Sequence, residues 1–200
     1  MNESRFIRLP TLLCLFLGLA LAACSAGVPE EPPLKGAAIG GPFALTDQDG
    51  RPVTDRDYAG KYRIMYFGFT HCPDICPTDL AVIGRALREF EKSDPARAAR
   101  VAPIFVSVDP ERDTPAVLKE YVAAFHPRLT GLTGTPSQVS EMVRRYGAYG
   151  SKGDPAAGGG YLVNHSRVAE LFGPEGQPIA LLPYEKGAEA VAAELDRWVR

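Results

Sequence analysis

Several familiar marks are missing from this 200-residue chain. There is no stripe of Lys and Arg interleaved with aromatics, and the formal net charge is −2, so nucleic acid is a poor candidate partner. The apolar run near the N-terminus, Leu9 to Ala23, is broken by Pro10 and falls short of the ~20 residues a transmembrane helix needs. No internal repeat is found. Cysteine is scarce, with four in all, and histidine numbers three. What is present is ordinary for a folded domain: 46% hydrophobic and 23% charged residues, which argues against disorder. The length fits one domain better than two.

The first residues have the three parts of a secretory signal. Arg5 and Arg8 supply the positive region, Leu9 to Ala23 the apolar core, and small residues precede Cys24; a short retained membrane anchor is the alternative. Leu21-Ala22-Ala23-Cys24 resembles the bacterial lipobox. That likeness implies removal of residues 1–23, lipidation of Cys24 and multiple-chain anchoring to a membrane. The expected location is the bacterial cell envelope, with the domain facing the periplasm or outer side, where disulfides form. Residues 24–42 carry Pro29, Pro32, Pro33 and Pro42 among Gly and Ala, as expected of a tether. The folded domain is then expected over residues 43–200.

Within that domain, Phe43 to Thr54 reads as a hairpin turned at Asp49-Gly50. Tyr62 to Phe69 and Val101 to Val108 are continuous apolar runs that suit strands covered on both faces. Leu80, Ile83, Leu87 and Phe90 share one helical face. Thr114-Pro115 starts a second helix, and Thr135-Pro136-Ser137-Gln138 makes a capping box for a third. Residues 147–160, rich in glycine, read as a mobile loop. Strand-forming residues follow over 161–172 and 177–182, and an amphipathic helix closes the chain at Ala188 to Trp198. Strands alternating with helices predict an α/β fold: a thioredoxin-like mixed sheet flanked by helices, with an N-terminal β-hairpin.

Cys14 lies in the leader and Cys24 closes it, which leaves Cys72 and Cys76 as the thiol pair of the domain. They fall in Phe67-Gly-Phe-Thr-His-Cys-Pro-Asp-Ile-Cys-Pro77, between a strand and a helix. Pro77 at the first helical position would make Cys76 the N-cap, with Cys72 in the loop leading in. Both sulfurs would sit near unsatisfied N–H groups that favour thiolate over thiol. Such a pair serves disulfide exchange, with Cys72 attacking and Cys76 resolving, or binding of a soft metal. A structural disulfide is the plainer reading, although so short a loop stabilises little. His165 is the candidate third ligand, since two thiolates and an imidazole select copper or zinc. Taken alone, it is more often a hydrogen-bonded strand histidine. His71 is a possible fourth donor and His126 reads as structural; Asp74 and Asp79 suit helix-start electrostatics, and Asp109 and Asp113 suit organisation of their turn.

Thr70-His-Cys-Pro-Asp-Ile-Cys-Pro-Thr-Asp-Leu80, Phe105-Val-Ser-Val-Asp-Pro-Glu-Arg-Asp-Thr-Pro115, Gly131-Leu-Thr-Gly134 and Val163-Asn-His-Ser166 together resemble the Sco (SenC) family. The likeness covers about residues 40–200. It implies a copper-binding thioredoxin-like protein that helps assemble the binuclear copper site of cytochrome c oxidase. It also implies Cys72, Cys76 and His165 as ligands of Cu(I), with Cu(II) as a further expectation. Subunit II of the oxidase is the expected partner, with a periplasmic copper donor as a further candidate. The alternative function is a thiol–disulfide oxidoreductase that keeps the oxidase's copper-site cysteines reduced. Two features count against efficient general exchange: the loop is longer than C-x-x-C, and no proline occurs in 161–172 beside the thiols. A peroxidase of the peroxiredoxin type would need a different surrounding sequence. The departures from the family pattern are the lipobox-like leader and the Ala/Gly-rich stretch at 153–160.

Overall fold

Side-chain period and capping chemistry dictate the elements seen in the computed structural model, which describes residues 30–155 and 160–200. The leader, with Cys14 and Cys24, lies outside the described residues. Strands β1 (Ala44–Asp47) and β2 (Pro52–Thr54) form the expected hairpin. Its turn is held by Asp47 Oδ1, which accepts from the N–H groups of Asp49 and Arg51 at 2.8 and 2.9 Å. Strand β3 (Tyr62–Gly68) is buried at every position. Helix α1 (Ile75–Ser93) follows, then the short α2 (Pro95–Ala98) and strand β4 (Val101–Ser107). Helix α3 (Pro115–Ala123) starts where Thr114 accepts from the N–H of Val117. After β5 (Thr130–Thr133), helix α4 (Pro136–Arg145) opens on the capping box of Thr135 and Gln138. Strands β6 (Gly150–Pro155), β7 (Tyr161–His165), β8 (Ala169–Phe172) and β9 (Pro178–Leu181) precede the closing helix α5 (Ala188–Trp198).

Seven strands form one mixed sheet in the order β2-β1-β5-β4-β3-β8-β9, parallel across β5-β4-β3 and antiparallel elsewhere. Alternation along β3 divides the core in two. Ile64 and Tyr66 pack with Leu80 and Leu87 of α1, Leu118 of α3 and Leu195 of α5. Met65 and Phe67 point to the opposite face, against Val139 and Met142 of α4. The thioredoxin-like expectation is met: a mixed sheet with helices on both faces and an N-terminal hairpin.

Three expectations need correction. Residues 147–160 are not one mobile loop: Gly150–Pro155 pairs with β7 as a separate two-stranded ribbon. A Cβ on Gly150 would lie 2.9 Å from Cβ of Val108, so that glycine serves close backbone approach. Residues 34–40, expected within the tether, lie against the domain. The N–H of Leu34 donates to Ile179 O, that of Gly40 donates to Arg145 O, and Ile39 packs on the α4 side of the core. Helix α1 begins two residues earlier than its proline signalled, with Asp74 rather than Cys76 as N-cap. Pro77 therefore sits at the third helical position, which it tolerates because the N–H groups of a first turn have no intrahelical acceptor.

Candidate metal centre

The parallel strands β3 and β4 end side by side, and the chain leaving β3 makes the cysteine loop. Asp113, fully buried just beyond β4, staples that loop down. Its Oδ2 accepts from Ser107 Oγ (2.6 Å) and the N–H of Thr70 (3.1 Å), and its Oδ1 from Thr70 Oγ1 (2.7 Å). Asp113 thus does more than organise its own turn. The loop then folds back, the N–H of Cys72 donating to Phe69 O at 3.2 Å.

Cys76 lies in the first turn of α1 with no exposed surface, and Cys72 above it is only 8% exposed. The pair is therefore sheltered rather than openly presented. Room for the lower sulfur depends on Gly68, since a Cβ there would come within 2.8 Å of Cys76 Sγ. The N–H of Cys76 donates to Cys72 Sγ at 3.4 Å, so the donor offered by the helix start serves the loop sulfur. The expectation that both thiols are acidified fails for Cys76. Burial pushes its thiol up to about 12, outweighing the helix N-terminus. Both cysteines are free thiols, so the structural disulfide is not formed here.

His165 ends β7, and its Nε2 lies 3.3 Å from Cys76 Sγ. Its Nδ1 is 2.8 Å from Ser166 O, which can only accept, so Nδ1 carries the proton and Nε2 keeps a free lone pair. In the metal-free state the protonated Cys76 donates to that lone pair. The Phe69 ring meets the imidazole edge to face at 5.6 Å. One donor atom from each of Cys72, Cys76 and His165 lies within 4.8 Å of the others. A fixed tautomer and two soft sulfurs fit a thiophilic metal, and the metal must displace the Cys76 proton.

The remaining candidates lie outside this donor group. His71 is half exposed, 3.1 Å from Thr70 Oγ1 and 3.7 Å from Asp113. Asp74 caps α1 without a side-chain hydrogen bond. His126 is structural: buried, 3.4 Å from Glu91, with burial lowering its basicity. Asp79 departs from its expected role. It is buried beneath the site and accepts from Tyr66 Oη (2.8 Å) and from Arg167 Nε and Nη2 (3.1 and 2.8 Å). Tyr66 and Arg167, two residues beyond His165, are supports that sequence reasoning missed. Arg167 lies in the short connection between β7 and β8, where nothing in the local sequence signals a partner 88 positions away. Beside the thiols opens a cleft of about 350 Å³, lined in part by Phe69, Pro73, Ile75 and Leu162.

A thioredoxin-like sheet that carries two thiols where β3 gives way to α1, with an imidazole brought in from a separate ribbon, defines a thioredoxin-fold protein with a soft-metal site. The SCO1/SenC family model matches residues 31–200, and the chain belongs to that family. The mitochondrial SCO1 homolog 1 of Arabidopsis thaliana is 46% identical over 151 residues, covering 76% of this chain and 44% of that protein. The mitochondrial protein SCO2 of Saccharomyces cerevisiae is 42% identical over 167 residues, covering 81% and 54%. This chain spans about half the length of those curated relatives. Among solved structures, Bradyrhizobium japonicum ScoI with copper bound superposes with a TM-score of 0.73 at 42% identity, covering 80% of this chain and 99% of that one.

Proposed function

We propose that this protein carries copper, held by Cys72, Cys76 and His165, and delivers it to the binuclear copper site of cytochrome c oxidase subunit II. The observation that carries the reading is the convergence of two sulfurs and one imidazole nitrogen within 4.8 Å, drawn from separate segments of the chain. Thiolates prefer Cu(I), and imidazole also suits Cu(II), so both states fit the donor set. The copper-bound ScoI relative supports the choice of metal. Three ligands leave room for an acceptor's thiol to attack the ion through the adjoining cleft, the geometry that release requires. Copper titration of the reduced protein, followed by mixing with a soluble copper-free subunit II domain, tests this. A single equivalent bound tightly and then transferred supports it; no tight binding overturns it. With the expected leader, Cys24 would anchor the protein by lipid at the cell envelope, which acyl labelling of Cys24→Ala against the parent chain tests.

A second reading, reduction of the acceptor's cysteine pair, is favoured by the placement of Cys72 above the wholly enclosed Cys76. Attack by Cys72 and resolution by Cys76 would oxidise the pair to a disulfide while the acceptor disulfide is reduced to two thiols. Turnover that survives His165→Ala separates this reading from copper carriage.

A further inference from the structure

His165 reaches the thiols from the β6–β7 ribbon, which among the described residues is joined to no strand of the main sheet. Among the described residues of the ribbon only Val163 is buried, and a cavity of about 210 Å³, lined in part by Val108, Val139, Val143 and Val163, opens beneath it. Apolar burial therefore does little to fix the ribbon's position. Polar and ring contacts supply what packing does not. The guanidinium of Arg112, on the loop after β4, stacks 3.7 Å from the centre of the Tyr161 ring. Its Nη1 donates to Tyr161 O at 2.8 Å, while its Nε donates to Asp109 Oδ2 at 2.5 Å. Tyr161 Oη in turn donates to Asp109 Oδ1 at 2.7 Å. Lys152 of β6 also lies 4.0 Å from the ring's centre and pairs with Glu111 at 2.8 Å. Arg112 also lies 5.8 Å from the Phe69 ring, the ring that meets His165 edge to face.

We propose that Arg112 is a positioning residue whose stack on Tyr161 latches the ribbon, and with it His165, over the thiol pair. Arg112 touches neither sulfur nor the imidazole among its hydrogen bonds and ion pairs; it acts through Tyr161 and Phe69. A cation flush on an aromatic face, forked to a carboxylate and a backbone carbonyl, is the geometry that lysine cannot reproduce. Because two thiolates satisfy Cu(I) better than they satisfy Cu(II), loosening the imidazole penalises Cu(II) the more. This metal consequence rests on the copper reading above; the latch itself does not.

Amide hydrogen exchange on the metal-free protein reads the latch directly. Arg112→Ala and Tyr161→Leu are each expected to speed exchange in 150–152 and 161–165 by about tenfold, with β3 and β4 unchanged. Arg112→Lys is expected to fall between them and the parent. In the metal arm, Arg112→Ala lowers Cu(II) affinity by about 10- to 100-fold, as loss of a ligand's support does elsewhere, and lowers Cu(I) affinity less. Unchanged ribbon exchange in both variants overturns the proposal, as does acceleration spread equally over β3 and β4. Equal Cu(II) affinity in parent and variants also overturns it. A parent that binds no copper instead overturns the copper reading, while the exchange arm still decides the latch.

Discussion

Asp113 offers the sharpest link between the stability of the fold and the shape of the site. It is fully buried, and its three hydrogen bonds, at 2.6, 2.7 and 3.1 Å, all come from Ser107 and Thr70. Hydrogen bonds to a charged acceptor contribute roughly 1.5–3 kcal/mol each, offset by the cost of burying the carboxylate. Asp113→Ala strands the Thr70 N–H and the Ser107 hydroxyl, for an expected loss of about 3 kcal/mol. Asp113→Asn keeps the shape. Its oxygen can stay with Ser107 Oγ and the Thr70 N–H, and its amide can donate to Thr70 Oγ1. The Thr70 hydroxyl can then turn to His71 Nδ1, 3.1 Å away. The expected cost is about 1 kcal/mol. Thermal unfolding of the metal-free protein should therefore show Asp113→Ala melting roughly 6–12 °C below the parent, and Asp113→Asn roughly 2–4 °C below. The cysteine loop should also exchange its amides faster in the alanine variant. Equal melting temperatures for the two variants would refute the staple, because the hydrogen bonds that Asn keeps and Ala loses would then contribute nothing measurable.

Two further outcomes are expected. Gly68→Ala places a methyl group 2.8 Å from Cys76 Sγ and 3.0 Å from Phe105 Cε2, so it should cost about 1–3 kcal/mol in denaturant unfolding and weaken copper binding by moving the sulfur. Glu170, buried opposite Met65 with its Oε2 unpartnered, has its carboxyl pushed up to about 8 by burial. Its protonated form is the one that the fold favours, so its contribution is intact below the ordinary glutamate value of 4.5 and is lost as pH rises through about 8. Across that window stability should fall by up to roughly 5 kcal/mol, at about 1.4 kcal/mol for each pH unit, and Glu170→Gln should flatten the slope. An unaltered slope in urea titrations at pH 5 and 8 would contradict the assignment.

Much of the fold was legible because its signals are local. Thr114-Pro115 and Thr135-Pro136-Ser137-Gln138 state where helices start, and the unbroken apolar run of β3 declares a strand covered on both faces. Cys72 and Cys76 were visible as a pair set between strand and helix, whereas His165 alone was ambiguous and needed the family likeness. The parts that were misread depend on depth or on distant partners. The acidity of Cys76 turns on burial, which no residue beside it reports, so reasoning from the helix N-terminus gave the wrong sign. Asp79 and Arg167 stand 88 positions apart and meet only because α1 and the end of the ribbon converge under the sulfurs. Gly150 and Gly153 signalled flexibility by composition, yet backbone pairing needs no side chain, and close approach to Val108 demands its absence.

The central claim is that two sulfurs and one imidazole hold a single ion. X-ray absorption spectroscopy on the Cu(I)-loaded protein, with His165→Ala and Cys72→Ser beside it, tests this most directly. The expected result is a shell of two sulfur scatterers and one nitrogen, with the nitrogen lost in His165→Ala and one sulfur lost in Cys72→Ser. A parent spectrum without sulfur scatterers, or a nitrogen shell that persists unchanged in His165→Ala, would contradict it.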